Sequence, residues 1–555
     1  MEILDPRQSP PANFGISLST QPFRYSQLGD AHVRLIHLNA GLRNDGLSIQ
    51  IHENVSLENA PVYEALSYAW GESRKTGSIS CGSESIAVTQ NLATALVQIR
   101  NPDKIRTLWI DQICINQDDV DERNKQVALM GRIYSKAENV VVWLGDGDLD
   151  DGMAFDFAPR LLSYLPPLSA GHGVTRQGLV ARHALPFIQS PGWIALSRIF
   201  SRPYFRRSWI IQEVALARRA AVHCGPYVID WDVLAAASSY QMAQATDAEN
   251  AHDAHDAVAA ITELNRHDHG RGNNLVDALF MSYHFNCTDP RDKVFAMLGL
   301  AQTPGLKPDY NSSVEDVYLR TTQFLVLAHG NLDILCCVSH PKRIATLPSW
   351  VPDWQAQVAV KPSYSENNRT LTVDGWCVDT VATVADVFAG NDSMSGWNEF
   401  VEKSSHSGSR SYTEIYCQTL LAGESLPGTP FDEVSAYEAW KNLGNRRLKN
   451  GSYKPLTDLS DENEKGVEFS FAMTEACAGR RLFTTTKDNL GLGPSEARVG
   501  DVICFLGDTP TPLVLRPRES YFELVGECYV GDLVEQGHPL PQLTRNEDKR
   551  DFTIR

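Results

Sequence analysis

The chain has 555 residues, 43% of them hydrophobic and 21% charged, and a formal net charge of −18. That length is more than one ordinary core serves, so two to three domains are expected, and the composition rules out a disordered chain. So negative a surface argues against nucleic-acid partners and anionic membranes, and no apolar run approaches the roughly 18 residues of a transmembrane helix. The eleven cysteines are singletons apart from Cys336 and Cys337. With no CxxC pair, and no basic-then-apolar leader in MEILDPRQSPPANFG, they read as reduced thiols of a cytoplasmic protein. The sequons at Asn311 and Asn368 are then chance matches.

Residues 1–60 are an N-terminal extension in which HVRLIHL and LSIQIHE read as strands. Residues 61–225 read as a dense α/β region. YEALSYAW is a buried strand running into Gly71, and SISCGSESIAV a hairpin turning at Gly82 and Ser83. TQNLATALVQIR has the apolar spacing of an amphipathic helix. TLWI is a short strand ending at Asp111. Asp118 or Asp119 then caps a helix, the latter with Glu122 three residues on, whose stripe is Val127, Met130, Ile133, Tyr134 and Ala137. VVVWLG is a β-branched strand stopped by Gly145. Strand, helix, strand at this spacing is a βαβ unit with parallel strands.

Residues 146–190 form a poorly patterned insertion, followed by helices in WIALSRIF and SWIIQEVALARRA. Residues 226–345 read as mainly helical, with LPSWVPDW marking a boundary. Residues 346–555 read as a β-rich C-terminal domain of short alternating segments, with a polar linker at about 390–465.

His252, His255, His267 and His269 stand among aspartates, but no cysteine or second motif completes a metal site and a solvated acidic helix explains them as well. DGDLDDG fails as a calcium loop, with Asp151 at the glycine position and Phe157 at the final glutamate position. There is no GxSxG elbow, P-loop or GxGxxG after a strand. What remains is the carboxyl edge of the parallel strands, where open sheets bind ligands. Ser67, Tyr68 and Trp70 follow the first strand, Asp111 the second, and Gly145-Asp146 the third. Asp111 alone reads equally as a turn residue. Glu213 lies inside the apolar helix SWIIQEVALA, where a carboxylate is costly unless paired, neutralised or used. It is either a functional group or half of a buried ion pair with Arg206, Arg207 or a more distant arginine.

YEALSYAWG, LWIDQICINQDDVDERNKQVALMGRIYSKAENVVVWLG and FSRPYFRRSWIIQEVALA resemble, in order and spacing, the blocks of the fungal heterokaryon incompatibility (HET) domain. DPRDKVFAMLGLA, LPSWVPDW and the late GDVICFLGD, PLVLRP and YFELVGECYV resemble the rest of the same protein type. The resemblance implies a role in nonself recognition between fungal cells and the programmed cell death that follows an incompatible fusion, with self-association or another incompatibility protein as partner. The same order is similar, more distantly, to TIR domains, which implies a TIR-like, flavodoxin-like parallel sheet with flanking helices. In TIR domains that cleave NAD, the glutamate of a Trp-x-x-x-Glu helix is catalytic. It matches Glu213, and its tryptophan matches Trp209. NAD or NADP is then a substrate rather than a bound cofactor, with Ser67, Tyr68, Trp70, Gly71, Arg74, Asp111 and Trp209 as the substrate-binding residues.

Overall fold

The computed structural model describes residues 21–163 (save 72 and 73), 190–242, 275–355, 371–404, 411–423, 433–444, 461–539 and 549–555, less a few positions within those ranges, together with 258, 261 and 262. The chain divides into two compact units, one up to Ser313 and one from Val314. The break falls inside the stretch read as one helical region.

The first unit is built on a ten-stranded sheet. Its strands are β1 (Gln21–Pro22), β2 (His32–Leu38), β3 (Ser48–Ser56), β4 (Glu64–Tyr68), β5 (Gly77–Cys81), β6 (Glu84–Val88), β7 (Arg106–Trp109), β8 (Asn139–Trp143), β9 (Ala220–Cys224) and β10 (Tyr227–Asp230). They lie in the order β1-β6-β5-β3-β2-β7-β4-β8-β9-β10. Within it β7, β4, β8 and β9 are mutually parallel neighbours. In chain order that core runs second, first, third, fourth. The chain leaves β4 toward one side and returns over it to the other, which opens a crevice at the carboxyl ends of β4 and β8.

Helices α1 (Gln90–Ile99) and α2 (Val120–Lys136) make the two crossovers. Both begin on side-chain caps: Thr89 accepts from the Leu92 amide, and Asp119 from those of Asp121 and Glu122. The expected stripe of α2 is buried. Glu122 does not complete a capping box, however. Its carboxylate takes both forks of the fully buried Arg34, at 2.6 and 3.0 Å, and the Asn116 amide at 2.7 Å. Arg34 also donates to Glu53 and the Cys114 carbonyl, and so ties the loop after β7 to β2.

After β8 come α3 (Leu149–Ser163), α4 (Pro191–Phe200), α5 (Trp209–Ala215), α6 (Trp231–Met242) and α7 (Leu275–Met281). Two expectations need correction. The insertion is patterned where it is described: Asp148 and Asp151 cap the start of α3 reciprocally, and Arg202 pairs with Asp151 at 2.7 Å. The helix containing Glu213 stops at Ala215, short of the Ala220 expected as its end, and Ala220–Cys224 is the fourth parallel strand, because pairing along β8 outweighs local helix propensity. The four histidines of the HDAHD segment lie outside the described residues, among which no group of three or more side chains could hold a metal ion.

The second unit contains α8 (Val314–His329), β11 (Leu371–Val387), α9 (Met394–Lys403), α10 (Tyr412–Leu420), α11 (Glu433–Gly444), α12 (Asp461–Cys477), β12 (Arg480–Thr485), β13 (Leu490–Pro494), β14 (Val502–Leu506), β15 (Leu513–Pro517), β16 (Phe522–Glu527), β17 (Tyr529–Val530) and β18 (Arg550–Ile554). The β-rich expectation holds, with two differences. LTVDGWCVDTVATVADV, expected as one of the short segments, is a strand of 17 residues. It pairs with β18 and β14 in its first half and with β12 in its second, so that β11-β14-β15-β16-β18 close a five-stranded ring. The supposed polar linker carries helices instead, because Trp397, Tyr416, Tyr437, Phe469 and Met473 bury a core of their own among the polar residues. LPSWVPDW lies within this unit, with Trp350 and Trp354 fully buried.

Candidate functional site

The last two residues of β4, Ser67 and Tyr68, stand at the crevice. Glu213 reaches them from the opposite end of the domain sequence. Its helix α5 starts where Asn286 clamps the chain: the Asn286 amide donates to the Arg206 carbonyl at 2.5 Å, and the Ser208 amide to the Asn286 carbonyl at 3.0 Å. Further along α5, the Gln212 carboxamide oxygen accepts from the Gly299 amide at 2.9 Å. These anchors aim Glu213, only 2% exposed, at β4.

Ser67 Oγ donates to Glu213 Oε2 and lies 2.7 Å from the Tyr204 hydroxyl. With the serine proton given to Glu213, the tyrosine must donate to the serine, a two-step relay ending on the carboxylate. The Arg207 guanidinium stands 3.7 Å from the same oxygen, and its Nη1 is buried without a hydrogen-bond partner. Tyr134 closes the group, donating to the Leu66 carbonyl at 3.2 Å. Burial pushes the Glu213 carboxyl up to about 7, against the opposing pull of Arg207 and the Ser67 hydrogen bond. Burial likewise raises the phenols of Tyr134 and Tyr204, so both stay neutral.

Asp111 forms the neighbouring cluster at the end of β7. It accepts from Trp70 Nε1 and from the Gln112 amide, each at 2.7 Å. Burial raises its carboxyl, and Arg207 opposes the shift. The Tyr68 hydroxyl is buried beside it, close enough to bias that carboxyl but without hydrogen-bond geometry. Glu213 and Asp111 therefore share the field of one guanidinium, and Ser67, Tyr68, Trp70, Asp111 and Glu213 form one connected group. Gly71 follows with a φ of +71°, which favours glycine, and Arg74 is exposed. Trp209 turns to another partner, its indole donating to Asp292 at 3.1 Å. The loop beyond Gly145, φ +104°, is held by Arg202, which donates to the Leu144 and Asp146 carbonyls.

Sequence reasoning did not place Tyr204, Tyr134 or Asn91 at the site, and read Tyr134 only as part of a buried helix stripe. Asn91 joins the ends of two strands, donating to the Ala69 carbonyl and accepting from Trp143 Nε1 at 3.0 Å. It sits in the first turn of an amphipathic helix, where a polar residue reads as surface. Tyr204 had one available signal, an aromatic in a Pro-initiated turn five residues before Trp209. A cavity of about 610 Å³ opens at the other edge of the sheet, among Glu64, Arg106, Asn139, Arg219 and Asp230, away from Glu213.

Residues 63–213 match the family model described as heterokaryon incompatibility protein (HET), and residues 438–554 match that of the Het-6 beta-barrel domain. The HET match begins at Tyr63 and ends on Glu213, and so contains the whole polar group. The chain is also 28% identical to heterokaryon incompatibility protein 6, OR allele, of Neurospora crassa, over 94% of this chain and 96% of that one. No solved structure matches.

Proposed function

We propose that this chain, a member of the heterokaryon incompatibility family by its HET and Het-6 barrel domains, acts in fungal nonself recognition and the cell death that follows an incompatible fusion. We further propose that its α/β unit is TIR-like and cleaves the nicotinamide–ribose bond of NAD or NADP, with Glu213 as the catalytic carboxylate. The observation that carries this reading is a buried carboxyl at the crevice beyond β4, delivered by the helix that starts at Trp209 and hydrogen-bonded to Ser67. The strand order second, first, third, fourth supports it as well.

One carboxylate suffices for this chemistry. The nicotinamide nitrogen already carries positive charge and departs neutral, so no general acid is needed, unlike ordinary glycoside hydrolysis with its two carboxylates. The protein has to stabilise the oxocarbenium-like ribose, and an ionised Glu213 against the ribose hydroxyls interacts most strongly where that charge develops. Arg207 favours the ionised form, and the dry surroundings strengthen its field. Backbone donors around Ser67 to Gly71, with Arg74, are suited to the diphosphate.

A second reading has its own support. At 2% exposure and 3.7 Å from Arg207, Glu213 also fits a structural ion pair in a self-associating, non-enzymatic module. The test is nicotinamide release from NAD by the concentrated full chain beside Glu213→Gln. Release by the wild type alone supports the enzyme and its residue together. Release by neither, with toxicity on expression surviving the substitution, rejects the enzymatic reading in favour of the interaction module.

A further inference from the structure

None of the eleven cysteines is in a disulfide, but two of them face each other. Cys377 on β11 is the register partner of Cys504 on β14 in an antiparallel pair. The Gly507 amide donates to the Asp374 carbonyl across the same two strands, which makes 374 and 507 a hydrogen-bonded pair. Counting inward by the alternation of antiparallel ladders, Cys377 and Cys504 occupy a non-hydrogen-bonded pair, whose Cα atoms stand about 4.5 Å apart with the side chains close. That spacing lies within the range a disulfide spans. A register irregularity follows immediately after Cys377, giving the strand local freedom at this pair.

The surroundings suit reaction. Ile503, Phe505 and Val378 pack in one hydrophobic cluster, and by strand alternation the two cysteines project from the opposite face. Cys377 is exposed and Cys504 buried. The neighbouring Cys504 thiol, with Arg550 and Lys487 nearby, lowers the Cys377 thiol to about 7, whereas burial raises that of Cys504; the Cys377 thiol itself lies 3.8 Å from the Asp379 carbonyl. This is the asymmetry of an attacking thiolate beside a resolving thiol. The cations belong to the fold: Arg550 opens β18, and Lys487 donates to the Val378 carbonyl at 2.6 Å.

We propose that Cys377 and Cys504 form a hydroperoxide-reactive dithiol that closes to a disulfide between β11 and β14. The Cys377 thiolate attacks one peroxide oxygen. The O–O bond breaks, and the departing hydroxide takes up a proton as water, leaving a sulfenic acid. The Cys504 sulfur then attacks the sulfenic sulfur. The S–O bond breaks, and the hydroxide leaves as water with the Cys504 proton. Two thiols and one peroxide give one disulfide and two waters, and the two electrons come from the sulfurs. The link would staple the long strand β11 to its barrel neighbour at the irregularity.

The test treats the reduced full chain with equimolar hydrogen peroxide, then counts thiols after denaturation and maps tryptic peptides by mass spectrometry. The expected result is loss of two of the eleven thiols, a linked peptide pair carrying Cys377 and Cys504, and full reversal by dithiothreitol. Cys377→Ser, at an exposed position, should lose none, and iodoacetamide should modify Cys377 roughly ten-fold faster than the buried thiols. An unchanged thiol count in the wild type overturns the proposal. So does recovery of Cys377 as sulfinic or sulfonic acid with Cys504 still alkylatable. Cys504→Ser adds a second check: peroxide should then take Cys377 to a trappable sulfenic acid. If that variant does not fold, the Cys377→Ser comparison decides alone.

Discussion

Glu213 and Arg207 make a pair in which the choice of substitution matters more than the site. Burial holds the Glu213 carboxyl at about 7, above its ordinary 4.5, so the folded chain keeps a proton that the unfolded chain releases. Its contribution is neutral below about pH 4.5, becomes destabilising as pH rises toward 7, and is constant above that, with a penalty of about 3 kcal/mol. Glu213→Gln removes this slope while its carboxamide oxygen still accepts from Ser67. Its melting temperature should match wild type near pH 5 and exceed it at pH 8. Glu213→Ala instead removes the acceptor of the buried Ser67 hydroxyl and leaves a cavity, and should lose about 1–3 kcal/mol in denaturant titrations. If Glu213 is the catalytic carboxylate, it works ionised, and turnover should rise with pH through a single ionisation near 7. A flat kcat profile across that range would separate the carboxylate from the chemistry.

The short helix α5 can aim Glu213 only because other elements hold it. Residues 298–300 pack between α2 and α5 so tightly that a Cβ on Gly299 would meet Gln212 Oε1 at 2.0 Å and Gly131 Cα at 3.0 Å. Gly299→Ala should therefore cost about 1–3 kcal/mol and disturb the Gln212 anchor, visible in thermal melts and in any turnover. Gly131→Ala should behave similarly, since its Cβ would stand 2.9 Å from the Gly299 backbone. The same contrast between local and distant determinants decides what was legible beforehand. Strand β4, the hairpin, α1, β7, α2 and β8 each carry their own period and punctuation, and the structure has all of them. Strand β9 was hidden because AAVHC becomes a strand only beside β8. The helices between 394 and 477 were hidden because their aromatic residues are spread thinly among polar ones. Glu213 was legible as a carboxylate out of place. Its partner Ser67 lies 146 residues away, and the relay through Tyr204 spans 137, separations that no local pattern encodes.

Across the whole molecule, buried ionisable groups in both units set one pH profile. Burial raises the carboxyls of Asp111, Glu213 and Asp292 in the first unit, the last to about 6, and that of Glu527 in the second. Each holds its proton more tightly in the fold than in the unfolded chain, so each removes stability as pH rises above the ordinary carboxyl range. His223 acts oppositely. Burial lowers it to about 4, so its contribution is fully present above its ordinary 6.5 and is lost as pH falls from there. The carboxyls of Glu53, Asp148 and Asp289 are held below their ordinary values by hydrogen bonds and arginines, and their contribution disappears in acid. The expected result is a melting temperature highest between about pH 5 and 6.5, falling on both sides. The net charge of −18 adds self-repulsion to the alkaline limb. Salt screens that surface repulsion but leaves the buried carboxyls untouched, because they lie out of reach of counter-ions. Raising salt to about one molar, where screening is nearly complete, should thus lift the pH 8 melting temperature only in part, and Glu213→Gln should lift it further by the same amount with or without salt. Full recovery by salt alone would mean that surface charge, not the buried acids, governs the alkaline limb.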